Sequence, residues 1–120
     1  MADFKRTTVT KNGEVAIVRF NDKKLVEGAS IEEMGEELMS LVTDQHCHHL
    51  LLNFEGVEFL SSAALNKLIL LNQKLKDVGG TLRICGLKPD IREVFTLTRL
   101  DRLLDIRKTE ADALKAFGLA

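Results

Sequence analysis

At 120 residues, 45% hydrophobic and 29% charged, the chain has the size and composition of one compact soluble domain, with no room for a second. Its 17 basic and 18 acidic residues mix to a net charge of -1, which excludes the global basic bias of a nucleic-acid or membrane-surface binder. Two cysteines are too few for a disulfide framework, and with no Trp or Tyr the six Phe are the only aromatics available for stacking or for lining a ligand pocket.

The first fifteen residues carry early basic groups but no apolar run behind them, so neither a secretory signal nor a membrane anchor is expected, and the cytoplasm is the expected compartment. Phe4 to Val9 and Val15 to Phe20 are β-rich, and the intervening Lys11-Asn12-Gly13 holds the Asn-Gly pair favoured in tight hairpins. The second run barely alternates, as in a strand covered on both faces. After the polar break Asn21 to Lys24, Ser30-Ile31-Glu32-Glu33 fits a capping box that starts a first helix. Ile31, Met34, Leu38, Leu41 and Val42 recur at helical spacing, while Glu32, Glu33, Glu36 and Glu37 point elsewhere and place acid in the first turns.

His46-Cys47-His48-His49 follows. Adjacent side chains diverge and no second ligand cluster exists to close a coordination shell, so the segment reads as a helix-to-strand connection, and no metal or cofactor is predicted. Leu50 to Leu52 reads as a buried strand, Asn53 to Gly56 as a polar turn, and Ser61 or Ser62 as the N-cap of a second helix stopped by Gly79-Gly80. Thr81 to Cys85 returns as a strand, making a right-handed crossover unit with parallel strands. Pro89 opens a third helix with Ile91, Val94 and Phe95 on one face. Leu100, Leu103, Leu104 and Ile106 suggest a short last strand, and Glu110 to Phe117 a last helix packing through Ala111, Leu114 and Phe117, with Gly118 to Ala120 fraying. The predicted fold is α/β, in the order β-β-α-β-α-β-α-(β)-α, a mixed sheet of four to five strands with helices packed against it. Neither an internal repeat nor a low-complexity tract interrupts it.

Catalysis is not predicted. The serines lie in no G-x-S-x-G elbow, the histidines crowd one connection, and neither G-x-x-x-x-G-K-[ST] nor G-x-G-x-x-G is present to cradle a phosphate. For Ser61 and Ser62 the plain structural role is a helix cap.

Val57-Glu58-Phe59-Leu60-Ser61-Ser62-Ala63-Ala64-Leu65, then Leu75 to Leu82, Cys85 and Phe95-x-x-x-x-Leu100, resemble the STAS domain of bacterial anti-sigma factor antagonists over most of the chain, most strongly from Leu50 to Ile106. The resemblance implies that the protein binds a serine kinase of the anti-sigma type, freeing a sigma factor or another output protein, and is switched off by phosphorylation at the start of the second helix. Family members typically read D-S-S-G-L or D-S-T-G-L there; this chain has Ser61 at the aspartate, Ser62 at the first serine, Ala63 at the acceptor and Ala64 at the glycine. The upstream G-x-L-D-x-x-T pattern survives only as Ser30 near the threonine, with Asp22 the nearest acid. Two readings stay open: Ser62, ahead of Ser61, takes the phosphate, or the domain is an unphosphorylated scaffold or regulatory subunit of a larger signalling assembly. A small-molecule-binding module is a third. The partner-binding residues implied are Asn53, Glu55, Glu58, Phe59, Leu60, Ser61, Ser62, Ala63 and Asn66, with the chain a monomer or weak dimer that engages neither nucleic acid nor membrane.

Overall fold

The computed structural model describes residues 4–118. The predicted hairpin forms from β1 (Thr7–Asn12) and β2 (Val15–Phe20), antiparallel, with Asn12 opposite Val15. The two-residue loop is therefore Gly13-Glu14, and Gly13, at φ 60°, takes the first loop position, where positive φ suits a residue without a Cβ. Asn12 belongs to the strand, and Phe4 precedes β1 to pack half-buried against the core.

Two-residue β3 (Lys24–Leu25) then leads into α1 (Gly28–Thr43). This corrects the predicted helix start: Glu27 is the N-cap, without a side-chain cap bond, and Ser30 is buried inside the first turn, which holds no acid. Glu37 is also corrected. It is only 8% exposed. Its carboxylate accepts from the backbone N–H groups of Lys5 (2.9 Å), Arg6 (3.0 and 3.2 Å) and Thr7 (3.0 Å) and from the Thr7 hydroxyl (2.7 Å). A buried carboxylate is tolerated when donors surround it, and this one pins the start of β1 to α1.

β4 (His49–Asn53), β5 (Phe59–Leu60), α2 (Ser62–Asp77) and β6 (Thr81–Cys85) follow. Next come α3 (Pro89–Leu97), α4 (Leu100–Leu103), β7 (Asp105–Ile106) and α5 (Glu110–Ala116). The single predicted strand around Leu100 to Ile106 is thus a helical turn followed by a two-residue strand. Leu100 and Leu104, four apart, are the residues that bury. In α5 the buried side chain is Ala113 rather than Ala111. The predicted fraying of 118–120 falls mostly outside the described residues.

The mixed sheet has five strands, ordered β1-β2-β4-β6-β7, parallel throughout except for the β1–β2 pair. Register sorts its side chains by period two. Val18, Leu52 and Ile84 lie abreast on the face that joins α1, α2 and α3 in the main core. Ile17 and Leu51 face the other way, with Val15 and Cys85, and are covered by Ala113, Leu114 and Phe117 of the α5 segment. Leu50, Leu51 and Leu52 are all fully buried, each contributing roughly 1.5–3 kcal/mol of transfer free energy. That explains why this run shows no alternation.

Candidate functional site

The loop between β4 and α2 emerges at the C-terminal edge of the parallel strands, the edge where open α/β sheets place their functional groups. It is held at several points. Asn53 is buried; its Oδ1 accepts from the Glu55 N–H at 2.9 Å, closing an Asx turn, while its Nδ2 donates to Glu110 Oε1 at 3.0 Å. Glu110 in turn receives Arg19 Nη2 at 2.6 Å, so α5 braces the loop from below. Phe54 is fully buried against Phe20, its N–H donating to the Cys85 carbonyl at 2.9 Å, and Lys88 Nζ donates to the Glu55 carbonyl at 2.8 Å. Gly86, at φ +75°, lets the β6–α3 turn pass close beneath; a Cβ there would come within 2.9 Å of Asn53 Oδ1 and 3.0 Å of the Glu55 nitrogen.

The far half of the loop is tied to the entry of α1. β5 pairs in parallel with β3, Lys24 opposite Phe59 and Leu25 opposite Leu60, and the Ser61 N–H donates to the Leu25 carbonyl at 3.0 Å. Val57 is fully buried, which leaves Glu55, Glu58 and Phe59 facing solvent. Phe59 is 52% exposed with the Lys24 ammonium 5.3 Å from its ring centroid.

At the helix start the two serines have different jobs. Ser61 is the N-cap, half-buried, its Oγ accepting from the Ala64 N–H at 3.2 Å. Ser62 occupies the first helical position, exposed, and among the described residues its hydroxyl has no hydrogen-bond partner. Ala63 and Asn66 are exposed beside it. Of the nine predicted contact residues, the structure brings eight to this surface, with Leu60 and Ser61 half-buried; Asn53 lies inside and shapes the loop. Sequence reasoning missed Lys24, Leu25 and Lys88 as supports, since two-residue strands and a single lysine-to-carbonyl bond leave no periodic signal.

The His46 to His49 segment sits at the opposite end of β4. Cys47 is buried, and among the described residues no three His, Cys, Asp or Glu side chains converge as metal ligands. Burial pushes the Cys85 thiol up to about 12, leaving it a protonated packing group. No described helix is long and apolar enough to cross a membrane.

The STAS domain family model matches residues 6–113. BtrV of Bordetella bronchiseptica, assigned as an anti-sigma factor antagonist, is 30% identical over 96 residues, 80% of this chain and 82% of that protein. Among solved structures, a Thermotoga maritima protein assigned as an anti-sigma factor antagonist superposes with TM-score 0.82 at 17% identity, covering 92% of each chain. An anti-sigma factor antagonist from Mycobacterium paratuberculosis gives TM-score 0.79 at 25% identity, covering 92% of this chain and 91% of that one.

Proposed function

This chain belongs to the STAS domain family of anti-sigma factor antagonists, and from that premise we propose that it captures a serine-kinase anti-sigma partner through the 53–60 loop and the start of α2. Phosphorylation of Ser62 is the proposed off-switch. The observation that carries this reading is the division of labour between the serines: Ser61 has its hydroxyl engaged as the cap, whereas Ser62 offers an exposed hydroxyl to a kinase.

A phosphate on Ser62 would add about -1.5 to -2 charges at the positive end of a sixteen-residue helix, where the dipole favours them. The domain should therefore stay folded. The effect falls on the interface, because a partner covering Ser62 must desolvate the dianion beside Glu55 and Glu58, both already exposed acids. An uncompensated buried charge costs on the order of 3 kcal/mol or more, over a hundredfold in affinity.

The test is calorimetric titration of purified anti-sigma serine kinases from the same organism into wild type, Ser62→Asp and Glu58→Lys. One kinase should bind wild type and lose most of its affinity for Ser62→Asp; equal binding of all three proteins would remove the docking face from consideration. The second reading, a permanently packed and unphosphorylated regulatory subunit, is favoured by Ala63 at the family's usual acceptor position. Intact mass of protein isolated from starved and stressed cells separates the two, since only the switch requires a stoichiometric phosphate on Ser62.

A further inference from the structure

The exposed side of α2 does not look like the outside of an ordinary surface helix. Such helices carry charge on the solvent face, yet the exposed positions Ser62, Ala63, Asn66, Leu70 and Gln73 carry none. Charge reaches that face only in the last turn, at the half-buried Lys74, one turn below Leu70, and at the exposed Lys76 and Asp77. Lys67 on the margin is half-buried, directed away toward Glu32 at 3.0 Å, with its stem lying over Gly35 of α1. Leu70 is 48% exposed, two turns below Ala63 and thus about 10 Å along the axis. Phe59 stands immediately before the same helix, so two of the large exposed apolar side chains border one uncharged strip. Depletion of charge with retention of apolar and amide side chains is the composition of an interface centre; the acids Glu55 and Glu58 flank it at one end, and at the other Asp77 accepts from Gln73 Nε2 at 3.0 Å beside the basic Lys74 and Lys76.

Resting on the proposed docking role of the helix start, we infer that the interface continues down α2 to Gln73. Its occupant is a folded partner whose contact face is apolar and uncharged opposite Asn66 and Leu70, with basic side chains opposite Glu55 and Glu58. Leu70 is the anchor of the lower half. The acidic end fixes the orientation, because a partner turned end for end would set its basic groups against Lys74 and Lys76, with Asp77 as the single acid there.

The test uses the kinase that binds wild type in the titrations above, with Leu70→Glu, and with Leu97→Glu as a control on α3, where Leu97 is 75% exposed. Circular dichroism establishes that each variant is folded. Leu70→Glu should weaken binding by about 30-fold or more, as for a residue near an interface centre, and Leu97→Glu by no more than about twofold. Binding to Leu70→Glu within about twofold of wild type overturns the inference, and if Ser62→Asp still abolishes binding, only the extension down α2 is lost. Should neither variant matter, the docking reading itself falls. Sedimentation of the chain alone provides the remaining arm: a dimer that Leu70→Glu dissolves would assign the strip to a second copy of this chain and overturn the kinase as its occupant.

Discussion

Substituting Ser61 and Ser62 one at a time gives the sharpest test of the helix start. Ser61→Ala deletes the side-chain acceptor that caps α2, the one reached by the Ala64 N–H at 3.2 Å. Losing an N-cap costs about 0.5–2 kcal/mol. Here the bond is long and the serine half-buried, so water can replace part of it, and a loss of about 0.5–1 kcal/mol is expected. For a chain of this length that lowers Tm by about 2–4 °C. Ser62→Ala removes an exposed hydroxyl with no partner among the described residues and should change stability by less than about 0.5 kcal/mol. Ser61→Asp keeps the acceptor and adds a negative charge at the positive helix end, so it should match or exceed wild type by about 0.3–1 kcal/mol at low salt. Urea denaturation with a shared m-value reads all three. Equal losses for the two alanine variants would refute the division of labour between the serines, and with it the choice of Ser62 as the regulated hydroxyl.

Glu37→Ala should cost about 3–5 kcal/mol by chemical denaturation, because it leaves the Thr7 N–H and hydroxyl buried without an acceptor; a loss under about 1 kcal/mol would contradict the arrangement. Gly86→Ala should destabilise by more than about 1 kcal/mol and perturb the NMR resonances of Asn53 and Glu55, since positive φ and the close approach are violated together. Hydrogen bonding from Arg107, supported by Arg83, holds the Asp105 carboxyl below its usual range. A lowered folded-state pKa makes the contribution complete above about pH 4 and lost as pH falls through the folded value. The stability gap between wild type and Asp105→Asn should therefore narrow on acidification below about pH 4, and a gap independent of pH from 2 to 6 would count against the pairing.

What the sequence displayed was period and punctuation, and those located β2, β4, α2 and β6 closely. The failures share a cause. Ser30-x-x-Glu33 fits a capping box, yet Leu25 pairs with Leu60 and turns the chain into a helix three residues earlier, burying the serine. Glu37 reads as one more acid on a solvated face because its donors lie about thirty residues upstream, a distance no local pattern spans. Leu100 and Leu104 already had helical spacing, which was overridden by Ile106 in an alternation that continues only through β7. At the site, residue chemistry offers either serine as the cap, and the resemblance makes Ser61 the cap and Ser62 the partner-facing hydroxyl; the cap bond at Ser61 agrees with that order. The uncharged face of α2 was present in the sequence all along. It became meaningful only once the buried side of the helix was known.

The lining of the second sheet face has a bearing on how the protein is made. Val15, Ile17, Leu51 and Cys85 are covered by Ala113, Leu114 and Phe117, from an element synthesised after every strand of the sheet. Until that segment emerges, a nascent chain with its sheet assembled presents one oily side to solvent or to a chaperone. Premature termination before Glu110 would make that state permanent. Ribosome pausing between β7 and the emergence of α5 thus carries a greater aggregation hazard than pausing within α1, before the parallel strands are made.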